Sequence, residues 1–184
     1  MSERKYVKGD SARCIGCMTC MAACLRVHHE SNPNIIPRLD LVTTPKVSSP
    51  VSCHHCEDAP CVKVCPTGCI SDEVLQVGIK SNKCIGCMSC MHACPFGAIK
   101  IAERPKFARI EGDEFEIGKA QVALKCDLCA NLAKSPTCVE VCLTKSLSLK
   151  ECDTAIESLK RNQDGVEALY SELASATKPL VETE

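Results

Sequence analysis

The sequence predicts an α+β fold of two modules, one inserted into the other, with long loops and a helical C-terminal tail. Three observations carry this prediction. The stretch CIGCMTCMAAC, residues 14–24, returns as CIGCMSCMHAC, residues 84–94, with nine of eleven letters unchanged. Sixteen of the eighteen cysteines fall into four groups of four, and from residue 153 cysteine disappears while helix formers take over. Repetition this close marks a structural unit used twice.

The chain has 184 residues, enough for one domain or two small ones, and its 45% apolar content is that of a globular protein. Tryptophan is absent and aromatics reach only 3%, so the ring residues that dominate most cores are nearly missing and something else fills the interior. The start, MSERKYVKGD, reads as neither an apolar export signal nor a twin-arginine signal, and no apolar run approaches the roughly 18 residues of a membrane span. A soluble cytoplasmic protein without membrane insertion is therefore expected, and in a reducing compartment dense cysteine means metal sooner than disulfides. The 22 Lys and Arg are matched by 23 Asp and Glu without a long basic block, which argues against nucleic acid as a partner.

Taken along the chain, short strands can be placed around each cysteine group: Tyr6 to Gly9, Leu39 to Thr43, Val74 to Val77, and Ala98 to Ile101. The first group is Cys14, Cys17, Cys20 and Cys24; the third is Cys84, Cys87, Cys90 and Cys94; both read C-x2-C-x2-C-x3-C. The second, Cys53, Cys56, Cys61 and Cys65, has a wider middle gap, as does the fourth, Cys126, Cys129, Cys138 and Cys142. Each group ends on a three-residue interval that reads as the start of a short helix.

The run C-x2-C-x2-C-x3-C-P holds 4Fe-4S clusters in bacterial ferredoxins, where the fourth cysteine serves the neighbouring cluster. Three thiolates two residues apart wrap a loop around three corners of a cube, with Gly16 and Gly86 letting the backbone come close. The chain then carries its last sulfur to the next cube, so groups come in reciprocal pairs. Pro66 and Pro95 follow Cys65 and Cys94, whereas Leu25 and Leu143 follow Cys24 and Cys142. Proline cannot continue a helix, so this difference predicts two kinds of exit and hence two modules. The inner module, about residues 50–105, then sits inside an outer one made of 1–30 and 120–150. On this pairing the four clusters are held by Cys14, Cys17, Cys20 and Cys142; by Cys24, Cys126, Cys129 and Cys138; by Cys53, Cys56, Cys61 and Cys94; and by Cys65, Cys84, Cys87 and Cys90. Zinc is the bland alternative, since two C-x2-C pairs close a tetrahedral site, but a third cysteine at the same interval is surplus to that pattern.

The four-group order, with wide gaps in groups two and four and CxxCxxCxxxCP in group three, resembles the four-cluster iron-sulfur subunits of molybdenum or tungsten oxidoreductases and hydrogenases. That family serves formate dehydrogenase, formate hydrogenlyase, hydrogen-dependent carbon dioxide reductase and dimethyl sulfoxide reductase. The resemblance spans roughly residues 5–150, and all sixteen ligand positions match. It implies an electron-transfer subunit without an active site of its own, linking a formate dehydrogenase-type catalytic subunit to a hydrogenase subunit. A subunit of a respiratory molybdopterin reductase, or an accessory maturation protein, is the alternative.

Two cysteines are left over. The aligned exits CPTGCI, CPFGAI and CLTKSL place Cys69 where Ala98 and Ser146 stand, so a small buried residue is expected there, and Cys152 reads as a free thiol. His54 and His55 lie within the second cysteine loop and His92 lies in the third, where supporting or surface roles suit them better than iron ligation. His28 and His29 are expected to end the first helix without chemical consequence. In the tail, residues 151–184, Asp164 and Glu167 form a D-x-x-E box before the stripe Val166, Leu169, Tyr170 and Leu173. That helix either packs on its own domain or docks another iron-sulfur subunit or a second copy.

Overall fold

The computed structural model describes residues 4–29, 36–110, 112–130, 132, 135–152, 157, 159 and 160. Among them, short helices alternate with antiparallel two-stranded ribbons: β1 (Lys5–Gly9), α1 (Thr19–His28), β2 (Asp40–Thr43), β3 (Ser48–Val51), α2 (Pro60–Lys63), β4 (Ile70–Asp72), β5 (Val77–Ile79), α3 (Ser89–Ala93), β6 (Lys100–Ile110), β7 (Asp113–Leu124), α4 (Thr137–Glu140) and β8 (Leu147–Glu151). The ribbons are β1 with β8, β2 with β3, β4 with β5, and β6 with β7. The β1–β8 register, Lys5 opposite Glu151 to Gly9 opposite Leu147, ties the first cysteine group to the last.

The repeated stretch begins alike in both copies. Met18 and Met88 sit in the left-handed region, at φ 59 and 63, and a helix starts at the next residue. The copies then part. In α1 the helix runs ten residues and buries Cys20, Cys24 and His28, spaced four apart on one stripe, with Arg26 and His28 at the carbonyl end. In α3 it stops after five, and Cys94 is extended, because a residue before proline is pushed out of the helical region.

The expectation that Cys65 and Cys94 turn away while Cys24 and Cys142 need not is corrected. After Cys65, Cys94 and Cys142 alike, the N–H of the third residue on (Gly68, Gly97, Lys145) donates to the cysteine carbonyl at 3.3, 3.3 and 3.2 Å. Those three residues hold φ of 60, 60 and 55. Leu143 therefore turns as the prolines do, and only Cys24, inside α1, differs. Proline stops the helix but the left-handed residue three places on makes the turn.

Strand expectations met the same test. Tyr6 to Gly9 and Leu39 to Thr43 match β1 and β2 closely. Val74 to Val77 is mostly a turn: Glu73 N–H donates to Gln76 at 3.0 Å, and Val74 and Leu75 stand exposed at the tip between β4 and β5. Ala98 to Ile101 is the foot of a far longer strand, β6, whose ribbon with β7 runs from Lys100 opposite Leu124 out to Ile110 opposite Asp113. Pro105 masked it in the sequence, yet a two-stranded ribbon has two free edges and tolerates proline.

Three apolar clusters form the interior. One contains Val7, Cys20, Cys24, Leu39, Cys138, Cys142 and Leu147; a second contains Ala59, Cys69, Ile70, Val77, Cys90, Ile99 and Ala123. A small third joins Cys53, Ala98 and Cys126. Cysteine takes the place of the missing aromatics. Buried polar links cross the molecule: Arg4 donates to the carbonyls of Cys56 at 3.1 Å and Glu73 at 2.6 Å and pairs with Asp72 at 2.9 Å. The Cys152 thiol donates to the His54 carbonyl at 3.1 Å, and the His54 ring is stacked between Tyr6 and Phe96 at 4.4 and 3.8 Å. The D-x-x-E box and the Val166 to Leu173 stripe lie outside the described residues.

Candidate iron-sulfur centres

Gly16 and Gly86 are at φ +69 and +72, where only glycine is comfortable. A Cβ at Gly16 would lie 2.8 Å from Ser48 Oγ, and one at Gly86 would lie 2.9 Å from the Gln121 carbonyl oxygen. The glycines thus press the first loop onto β3 and the third onto β7. Ile15, Cys17, Ile85 and Cys87 remain exposed beside them.

Backbone donors converge on cysteine sulfur. The N–H groups of His55, Leu128, Ala123, Arg38 and Ser146 reach Cys53, Cys126, Cys84, Cys24 and Cys142 at 3.2 to 3.4 Å. Side chains add to this: Thr19 Oγ1 donates to Cys17 at 3.4 Å, Thr67 Oγ1 lies 3.7 Å from Cys65, and Ser146 Oγ lies 3.2 Å from Cys142. Burial raises the Cys65 and Cys142 thiols, but hydrogen bonds, chiefly from the Ile70 backbone and Thr67 at Cys65 and from Ser146 and the Leu147 backbone at Cys142, outweigh it and leave them lowered to about 6 and about 7. Burial pushes Cys56 and Cys126 up to about 12 and Cys61 to about 11, and it raises Cys138 as well. Thiols held neutral by burial become thiolates when a metal supplies the compensating charge.

Each fourth cysteine lies within electrostatic reach of a different group or loop. Cys17 is lowered chiefly by its Thr19 hydrogen bonds and Cys87 by those of Ser89, while Cys142 acts on the first and Cys65 on the second. Beyond burial, Cys53 and then Cys94 act on Cys56 and Cys61, and Cys24 acts on Cys138 alongside Cys126, Cys129 and Cys20.

Several residues that sequence reasoning passed over stand here. His28 was expected to do nothing, but it is 4% exposed and joins two groups. Its Nδ1 lies 2.8 Å from the Cys24 carbonyl and its Nε2 lies 3.0 Å from Asp127, which also pairs with Arg38. Both ring nitrogens therefore face acceptors. Burial disfavours the charged ring, yet the hydrogen bonds to Asp127 and Cys24 prevail and lift it to about 10; Asp127, in spite of its burial, is lowered to about 2 by His28 and Arg38. No spacing rule pairs His28 with Asp127, 99 residues apart. His55 is fully buried; its Nδ1 accepts from Val77 at 3.1 Å and its Nε2 finds no partner among the described residues. Cys69, expected as a filler, lies 3.6 Å from Cys65 sulfur to sulfur. Cys152 is a buried thiol outside the four groups, held by its hydrogen bond to the His54 carbonyl. The thiols and the donors aimed at them form a lining that fits an anionic sulfur-bearing group.

Two families, each described as "4Fe-4S binding domain", match this chain, one over residues 11–26 and the other over 77–100. Curated relatives from Escherichia coli match nearly end to end. Formate hydrogenlyase subunit 2 and hydrogenase-4 component A are each 36% identical, over 87% and 86% of this chain and 88% of their own lengths. Electron transport protein HydN is 36% identical over 78% of this chain and 86% of its own. The chain belongs to this family of 4Fe-4S electron-transfer proteins. As a member of it, the chain binds 4Fe-4S clusters, and among the described residues no helix is long and apolar enough to cross a membrane.

Proposed function

We propose that the chain holds four 4Fe-4S clusters in a row. It relays electrons between a molybdenum- or tungsten-dependent formate dehydrogenase-type subunit and a hydrogenase subunit in a cytoplasmic complex, without an active site of its own. The partners are those suggested by relatives named for formate hydrogenlyase and hydrogenase-4. When bound, such clusters supply one-electron transfer. The polypeptide supplies thiolates, donors and burial.

The observation that carries this reading is the packing of each fourth cysteine with another group: Cys142 with Cys20 and Cys24 with Cys138 in one apolar cluster, Cys94 with Cys53 in a second, and Cys65 with Cys90 in a third. It supports the assignment of Cys14, Cys17, Cys20 with Cys142; Cys126, Cys129, Cys138 with Cys24; Cys53, Cys56, Cys61 with Cys94; and Cys84, Cys87, Cys90 with Cys65. Packing suggests the order. Cys20 and Cys138 share one apolar cluster, Cys53 and Cys126 share the small central one, and Cys61 and Cys94 pack against the cluster of Cys90. The exposed Cys17 and Cys87 then mark the two ends. Two nested modules, 1–30 with 120–150 around 50–105, accord with the separate apolar clusters at either side.

The test is anaerobic purification of the full chain with its neighbours. About sixteen iron and sixteen labile sulfide per chain are expected, with low-temperature EPR of interacting 4Fe-4S centres and stoichiometric copurification of both partner subunits. A colourless protein with single zinc ions ends the cluster reading. Copurification with neither partner ends the assignment of the complex.

A further inference from the structure

This inference rests on the ligand sets proposed above and deepens them. Four residues past each fourth cysteine stand His28, Cys69, Ala98 and Ser146. The backbone delivers all four to the same place. Helical geometry does so for Cys24 and His28, and the shared turn at Gly68, Gly97 and Lys145 does so for the other three. All four are buried, at 4%, 3%, 7% and 4% exposure, so water cannot substitute for what the side chain lacks.

What differs is the atom offered to the exit sulfur. Ser146 brings Oγ to 3.2 Å from Cys142, and its own N–H reaches the same sulfur at 3.2 Å. Cys69 brings a thiol to 3.6 Å from Cys65. His28 brings Nδ1 to 3.6 Å from the Cys24 sulfur while holding the Cys24 carbonyl at 2.8 Å. Ala98 brings a methyl group. Two residues past the cysteine the contrast repeats, with Thr67 at 3.7 Å from Cys65 and Thr144 at 3.8 Å from Cys142, against Phe96 after Cys94.

A hydrogen bond to a ligand sulfur stabilises the reduced, more negative state of a cluster more than the oxidised one, and so raises its potential. We propose that residues 28, 69, 98 and 146 are one positioning site written four times, which sets the relative potentials of the four clusters through the exit thiolate. Ala98 offers Cys94 no donor from this position and so holds the potential of the set of Cys53, Cys56, Cys61 and Cys94 down. Electron entry into that set is the step this position makes hardest.

The experiment is a redox titration followed by EPR on the full chain carrying its clusters, wild type beside Ala98→Ser and Ser146→Ala. Ala98→Ser is expected to raise one potential by about a tenfold change in the oxidised-to-reduced ratio at fixed poise, about 59 mV for one electron, and to leave the others in place. Ser146→Ala is expected to lower a different one by a similar amount. With about sixteen iron retained, unchanged potentials in both variants overturn the proposal. Should Ala98→Ser not hold its iron, Ser146→Ala decides alone by the same criterion. Wild-type protein with far fewer than sixteen iron defeats the ligand sets and this inference with them, and is distinguished from a failure of the tuning position by the iron count itself.

Discussion

At the residue scale, identical letters meet different constraints. Gly68 and Gly86 both hold positive φ, but nothing lies within 4 Å of a Cβ at Gly68, whereas one at Gly86 strikes the Gln121 backbone. Gly68→Ala should therefore cost only the left-handed strain, about 1 kcal/mol, and keep its iron. Gly86→Ala adds a backbone clash and is expected to lose the iron of its loop, as read by iron content and the visible absorbance of the purified chain. Equal iron in the two variants would show that β7 does not constrain the loop. Asp127 offers a second case. Asp127→Asn removes the carboxylate that keeps the buried His28 ring protonated and that pairs with Arg38, and should destabilise by about 2 kcal/mol, measured as a lowered midpoint of thermal cluster loss. The four cysteine groups were legible from spacing alone; the His28 to Asp127 pair was not, because only folding brings residues 99 apart within 3.0 Å.

At the scale of elements, the ribbon of β6 and β7 divides in two. Its foot is part of the interior, with Ala102, Val122 and Ala123 at 4%, 8% and 2% exposure, while Phe107, Phe115 and Ile117 in the outer half stand more than half exposed. Ordinary folding energetics therefore ask little of the outer half. Replacing residues 106–117 by a two-residue Asn-Gly turn should leave iron content unchanged and shift stability by less than about 1 kcal/mol. A marked loss of iron from the shortened chain would mean the arm supports the cluster body. The sequence signalled the foot through Ala98 to Ile101 but not the arm, because charged residues and Pro105 carry no period-two apolar signal when neither face is buried. The same cause hid the β4–β5 turn, whose exposed Val74 and Leu75 read as strand.

At the scale of the whole molecule, few polar links hold the pieces in register. Arg4, next to β1, ties the second cysteine loop to the β4–β5 ribbon, and Ser52 Oγ donates to the Val7 carbonyl of β1 at 2.6 Å. Arg4→Ala leaves two carbonyls without this donor and should cost about 2 kcal/mol, seen as faster iron release to a chelator. The apolar clusters themselves are lined by cysteine, with no large ring residue among their fully buried members, so area burial by carbon is small for 184 residues. Removing iron with a chelator under anaerobic conditions should therefore collapse the far-ultraviolet circular dichroism signal along with the colour. Retention of the folded signal after complete iron loss would show that the polypeptide core suffices.

Sequence alone determined the four cysteine groups and their spacing, since residue type and interval are local and a short loop can wrap a cube only at certain intervals. It also located the helix starts, which depend on neighbouring residues. Tertiary structure decided which groups face one another, that the exit after Cys142 turns like those after Cys65 and Cys94, and what each exit sulfur meets four residues on. Those outcomes depend on backbone turns and on contacts between distant segments, where energy is set by the partner met in space and no run of adjacent letters records it.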